Sequence, residues 1–116
     1  MRAIVDALKH AEGAGANCEL AGASGEAGCW QFMGATWNLF VKEVYGEWKP
    51  LDSYARERYV VTQMVQKWVD QGKSAAEIGL IWNAGGAKQC SSGINRYGVP
   101  YDSCAHVSKV LAYLHR

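Results

Sequence analysis

The sequence predicts a mainly α, single-domain protein spanning residues 1–116. Three observations lead there. Apolar residues recur at helical spacing in several separate stretches. Recognisable capping residues stand before most of those stretches. Two long loops separate the rest, the first with room for a short β-hairpin. At 116 residues the chain can enclose one core and not two.

The elements follow in order. Ile4, Val5, Leu8 and Ala11 recur at helical spacing, so Arg2 to about Glu12 reads as a helix. Gly13, Gly15 and Gly22 interrupt it, and Cys18 to Gly28 reads as a loop in which a short hairpin could form. Thr36 is the expected N-cap of a second helix that runs to Val44 and stops before Gly46. After Pro50, Asp52 or Ser53 should cap the longest helix. Its stripe Val61, Met64, Val65, Trp68 faces inward until Gly72. Ser74 to Glu77 has the spacing of a capping box, opening a helix to about Trp82. Residues 83–101, rich in Gly and Ser, read as a loop. Asp102 or Ser103 then begins a final helix with Val107, Val110, Leu111 and Leu114 on its apolar face.

Composition narrows the function classes. A hydrophobic fraction of 49% with 20% charged residues fits an ordinary globular chain. No apolar run approaches the ~20 residues that span a bilayer. A net charge of +1 gives no electrostatic reason to expect nucleic acid as partner. The chain is rich in aromatics, with Trp 5 and Tyr 6. Aromatic faces stack on sugar rings, but most of these residues should fill the core.

Cys18, Cys29, Cys90 and Cys104 are an even set that fits two disulfides. All pairings are open from spacing alone. Cys18–Cys29 and Cys90–Cys104 are favoured because each pair brackets a loop between helical segments. Zinc is the rival use, but C-x-x-C spacing is absent and His106 is the one histidine near a cysteine pair. Neither a metal nor a cofactor is therefore expected. Disulfides imply an oxidising compartment, while no signal peptide precedes Ala3-Ile4-Val5. An extracytoplasmic location (periplasm, cell wall or secreted) is the expectation.

Three segments downstream of Glu12 carry the functional signal: Gly25 to Trp37, opening with Gly25-Glu26-Ala27-Gly28-Cys29-Trp30-Gln31; Ile81 to Gly86, with Trp82-Asn83-Ala84-Gly85; and Gly98 to Leu114, with Pro100-Tyr101-Asp102-Ser103. In that order, nearly end to end, they resemble the lytic-transglycosylase branch of the lysozyme-like superfamily. Goose-type lysozymes and resuscitation-promoting factors are related members. The resemblance implies a lysozyme-like helical domain whose long loops border a substrate groove. It also implies a monomer acting on peptidoglycan glycan strands.

By that resemblance Glu12 matches the single catalytic Glu at the end of the first core helix. Glycosidic cleavage needs a proton for the departing oxygen, and a sheltered carboxylic acid can supply it. The Trp30–Phe32 segment is the expected apolar wall. A carboxylate at a helix C-terminus also lies against the dipole, which makes a purely structural Glu12 less favourable. Gln31 is carried over as a substrate contact, with Met33 as an apolar contact beside it. Phe32 and Trp37 are assigned to the core. Asn83 matches the Asn of the family's Tyr-Asn-Ala-Gly, and bonding local backbone is its equal alternative. Trp82 departs from the usual Tyr, offering an apolar wall or an N–H donor instead. Tyr101 and Asp102 match the start of the last helix beside the cleft, Asp102 having capping as its better reading. His106 stands where relatives often carry Tyr, and a packed or solvent-facing role is expected for it ahead of proton shuttling.

A hydrolase requires a second carboxylate, for which Glu26 is the best placed, with Glu19 and Asp102 behind it. Lytic transglycosylases use one Glu and close the sugar into a 1,6-anhydro ring. The sequence favours that outcome. Hydrolysis of the same bond, a non-catalytic glycan-binding module on the same scaffold, and a helical adaptor are the alternatives.

Overall fold

The structure, a computed structural model, describes residues 1–12, 27–85 and 89–116. Its described part has five helices and one two-stranded hairpin: α1 Arg2–Glu12, α2 Gly34–Tyr45, α3 Tyr54–Asp70, α4 Ala75–Ala84, β1 Ser92–Ile94, β2 Pro100–Asp102 and α5 Ser103–Leu114. Helices α1 and α4 both pack on α5, and α3 packs on α1 and α2. The radius of gyration is 13.4 Å. A compact chain of this length is expected near ~13 Å. Among the described residues no helix is long and apolar enough to cross a membrane.

Local signals set most boundaries. Ser53 accepts the Arg56 N–H and opens α3. Ser74 and Glu77 form the reciprocal capping box of α4. Asp102 accepts the Ala105 N–H and opens α5, which makes capping the observed use of its carboxylate. Gly46 and Gly85 close α2 and α4 in the left-handed conformation that favours glycine.

Two expectations need correction. Helix α2 begins at Gly34 with Met33 as an uncapped N-cap residue, so Thr36 lies inside it. The antiparallel hairpin occupies residues 92–102, all but Asp102 in the segment read as loop, pairing Ser92 with Asp102 and Ile94 with Pro100. Its strands are short and exposed, and Asn95 builds the turn by accepting the Tyr97 and Val99 N–H groups. Nearer the N-terminus, only the isolated bridge Ala27–Phe32 is described. Cys18, Glu19, Glu26 and the rest of 13–26 lie outside the described residues.

The core is one cluster drawn from α1 (Val5, Leu8, Ala11), α3 (Val60, Val61, Met64, Val65, Trp68), Ile78 of α4 and Val110 of α5. Phe32 and Trp37 belong to it, as expected, together with the fully buried Trp30. The Trp30 indole N–H is donated to the Val5 carbonyl at 2.9 Å, which ties the 27–32 turn to α1. On α5 the buried face is Ser103, His106 and Val110, while Val107, Leu111 and Leu114 are half-buried. That face is rotated from the apolar stripe read in the sequence, and it carries His106 inward.

Cys90 and Cys104 form a disulfide across 14 residues with a Cα–Cα distance of 4.9 Å. Beside it, Ser103 Oγ accepts the Ser91 N–H and donates to the Ser91 carbonyl, at 2.7 and 3.0 Å. Cys29 is also disulfide-bonded. Its expected partner, Cys18, lies outside the described residues.

Candidate functional site

Residues Trp30 to Phe40 meet the C-terminal half of α4 in a groove of about 370 Å³. Gln31, Met33, Trp82 and Asn83 all line it, although the two pairs stand about fifty residues apart in the chain. Phe32, Phe40 and Trp68 supply its apolar floor. Such a concave, aromatic surface with a few polar groups is the usual form of a small-molecule site.

The turn that delivers Gln31 is held from below by Glu57 of α3. The Glu57 carboxylate accepts the Cys29 and Trp30 backbone N–H groups, each at 3.0 Å, while only 2% exposed. Burial pushes this carboxyl above its ordinary value; the two N–H donors and the nearby Lys9 charge oppose that rise. Gly28 sits directly over the carboxylate with φ +85°, and a β-carbon there would lie 2.2 Å from Oε2. The absence of a side chain at Gly28 is what lets Glu57 approach the turn.

Gln31 itself takes φ 51°, a left-handed conformation that a non-glycine residue adopts at a cost of ~1–2 kcal/mol. Its side-chain amide donates to the Gly28 carbonyl at 2.7 Å, which offsets part of that cost. The backbone is thus strained at the one glutamine that faces the groove.

Trp82 is fixed by three neighbouring rings, at centroid distances of 5.2 Å to Phe32, 5.9 Å to Phe40 and 6.2 Å to Trp68. Its indole N–H points at the Trp30 carbonyl, 3.4 Å away. The ring serves as a wall of the groove, while its one N–H is directed to the Trp30 carbonyl. Asn83 is exposed on the last turn of α4. Gly85 closes that helix, so Asn83 is not needed as its cap.

Glu12 ends α1 with its side chain 16% exposed, and it is not among the described lining residues of the groove. Its Oε1 lies 2.9 Å from Nε2 of His106 on α5, a residue 7% exposed. Tyr101 stands exposed on β2, its ring over Gly93, and neither Tyr101 nor Asp102 lines the groove. No set of three metal-ligating side chains occurs among the described residues.

Glu57 is the site-forming residue that sequence reasoning passed over, while His106, read there as packed or solvent-facing, is packed and meets Glu12. Both left a periodic trace. Glu57 is in helical register with Val60, Val61 and Met64, and His106 with Ser103 and Val110. No family model, curated protein or solved structure matches the chain.

Proposed function

We propose that this protein cleaves the β-1,4 bond between MurNAc and GlcNAc in peptidoglycan, as a lytic transglycosylase with Glu12 as the acid and base. The observation that carries the reading is the meeting of Gln31 and Met33 with Trp82 and Asn83 in one groove. These are residues of two separate motif segments whose order resembles that enzyme class.

In the proposed reaction the Glu12 carboxyl gives its proton to the bridging oxygen. The bond from that oxygen to C1 of MurNAc breaks, with the electron pair leaving on oxygen. The substrate's own N-acetyl group supports the developing positive charge. Glu12, now a carboxylate, takes the proton of the C6 hydroxyl as O6 bonds to C1 and closes the 1,6-anhydro ring. One carboxylate suffices because no water is activated. The 16% exposure of the Glu12 side chain is compatible with restricted water access.

The test is digestion of purified peptidoglycan by the protein and by Glu12→Gln, followed by mass spectrometry of the products. Anhydro ends, lighter by one water than reducing ends, are expected from the parent. A loss of ~10²–10⁴-fold is expected from the variant. Reducing ends would assign hydrolysis instead. Glycan binding without cleavage would assign a binding module. Digestion by Glu12→Gln at the parental rate would remove Glu12 from the mechanism.

A further inference from the structure

The contact between Glu12 and His106 joins residues 94 apart in the chain, and neither partner is free to wander. His106 is held in the first turn of α5, the most heavily anchored helix start among the described residues. Asp102 caps it, Ser103 exchanges hydrogen bonds with Ser91, and Cys104 is bridged to Cys90. The ring is 7% exposed, and its Nδ1 is buried with no hydrogen-bond partner among the described residues.

That unpartnered nitrogen decides where the ring proton sits. With the proton on Nδ1, a buried N–H would have no acceptor, and Nε2 could only accept. With the proton on Nε2, the ring donates to Glu12 Oε1 and leaves only a bare lone pair buried. The second arrangement is the cheaper one, because it satisfies the single donor of a neutral imidazole.

We propose that His106 is a positioning residue for Glu12, donating Nε2–H to Oε1 so that the transferable proton is carried by Oε2. The inference deepens the function proposed above and rests on it. Oε1 accepts the same hydrogen bond whether the carboxyl is protonated or ionised. The group therefore keeps one rotation through both halves of the reaction. Oε2 gives the proton to the bridging oxygen and later receives the one from the C6 hydroxyl. Fixing the orientation in advance spares the reaction the cost of finding it.

The experiment compares kcat and KM of the full chain on soluble glycan fragments with those of His106→Gln, His106→Asn and His106→Leu. A Gln amide nitrogen can reach the place of Nε2, whereas that of Asn reaches only the place of Nδ1. Leu and Asn are expected to lower kcat by about 100-fold with KM unchanged, and Gln to recover at least about a tenth of the parental kcat. Thermal denaturation of each variant separates this pattern from a folding defect, which would follow Tm and not the reach of the amide. If Leu fails to fold, Gln against Asn decides. The imidazole nitrogen NMR spectrum of the parent should give the Nε2–H tautomer. A parental kcat in His106→Leu, a Gln variant no better than Asn, or an Nδ1–H tautomer overturns the inference while leaving the proposed function standing. A parent protein inert on peptidoglycan overturns both.

Discussion

The carboxylate of Glu57 fills the space in which Gly28 would carry a β-carbon. The two residues lie 29 positions apart, yet an added Cβ would sit 2.2 Å from Oε2 and 2.7 Å from Cδ. Glycine at this position and a buried acid on α3 are therefore one device. Removing the side chain of residue 28 lets the carboxylate reach two backbone N–H groups, and those bonds fix the turn that presents Gln31.

Gly28→Ala follows directly as a test. The alanine must adopt φ near +85° and must also displace the carboxylate, leaving the Cys29 and Trp30 N–H groups without their acceptor. Both residues are fully buried, so water cannot substitute. The expected cost is ~4 kcal/mol, read by denaturant or thermal unfolding. A loss under ~1 kcal/mol would mean that the turn re-forms without Glu57.

Glu57→Gln tests the charge and the geometry together. Protonated or ionised, both carboxyl oxygens keep a lone pair for a backbone N–H, whereas the NH₂ of a Gln amide can only donate and would face a backbone donor. The variant should be less stable by ~2 kcal/mol in mildly acidic solution. The pH dependence has a definite sign. Burial raises the Glu57 carboxyl in the folded state, so the native protein holds that proton more firmly than the unfolded chain does. The stability so gained is complete below the ordinary carboxylate value and is lost as pH rises through the folded one. The parent's advantage over Glu57→Gln should then shrink as pH rises from about 4. Other carboxyls titrate in both proteins and cancel in the difference. An advantage that grows with pH would mean that the two N–H donors outweigh burial.

The elements legible from sequence are those whose stabilising group is local. Ser74 and Glu77 satisfy each other's backbone within one turn, and Ser53 and Asp102 each bond a donor three residues on. Such spacing is visible in the chain itself. The start of helix α2 carries no such signal, because Met33 contributes no side-chain cap. The hairpin at 92–102 hides because strands of three exposed residues carry no alternation to read, and its Asn95 turn looks like any polar loop. For the site, the motif residues Gln31, Met33, Trp82 and Asn83 come together in the groove, while Tyr101 and Asp102 stand apart from it. Glu57 and His106 were harder to see for one reason. Each is a titratable residue on an apolar helix face, and its meaning comes from a partner 27 to 94 residues away.

The Cys90–Cys104 bridge supplies the last prediction. It closes a loop of 14 residues beside a junction already held by the Ser91–Ser103 hydrogen bonds. Replacing both cysteines by serine should leave the folded junction in place, because those bonds and the Asp102 cap remain. The main effect falls on the unfolded chain, which regains the freedom the bridge denied it. The expected loss is about 3 kcal/mol for a loop of this length. The freed chain should also expose more surface on unfolding, raising the slope of stability against denaturant. Paired substitution is a cleaner test than chemical reduction, since Cys29 is disulfide-bonded too and a reductant would act on both bridges. Unchanged stability and slope would show that the bridge restrains nothing the hydrogen bonds at Ser91 and Ser103 do not already hold.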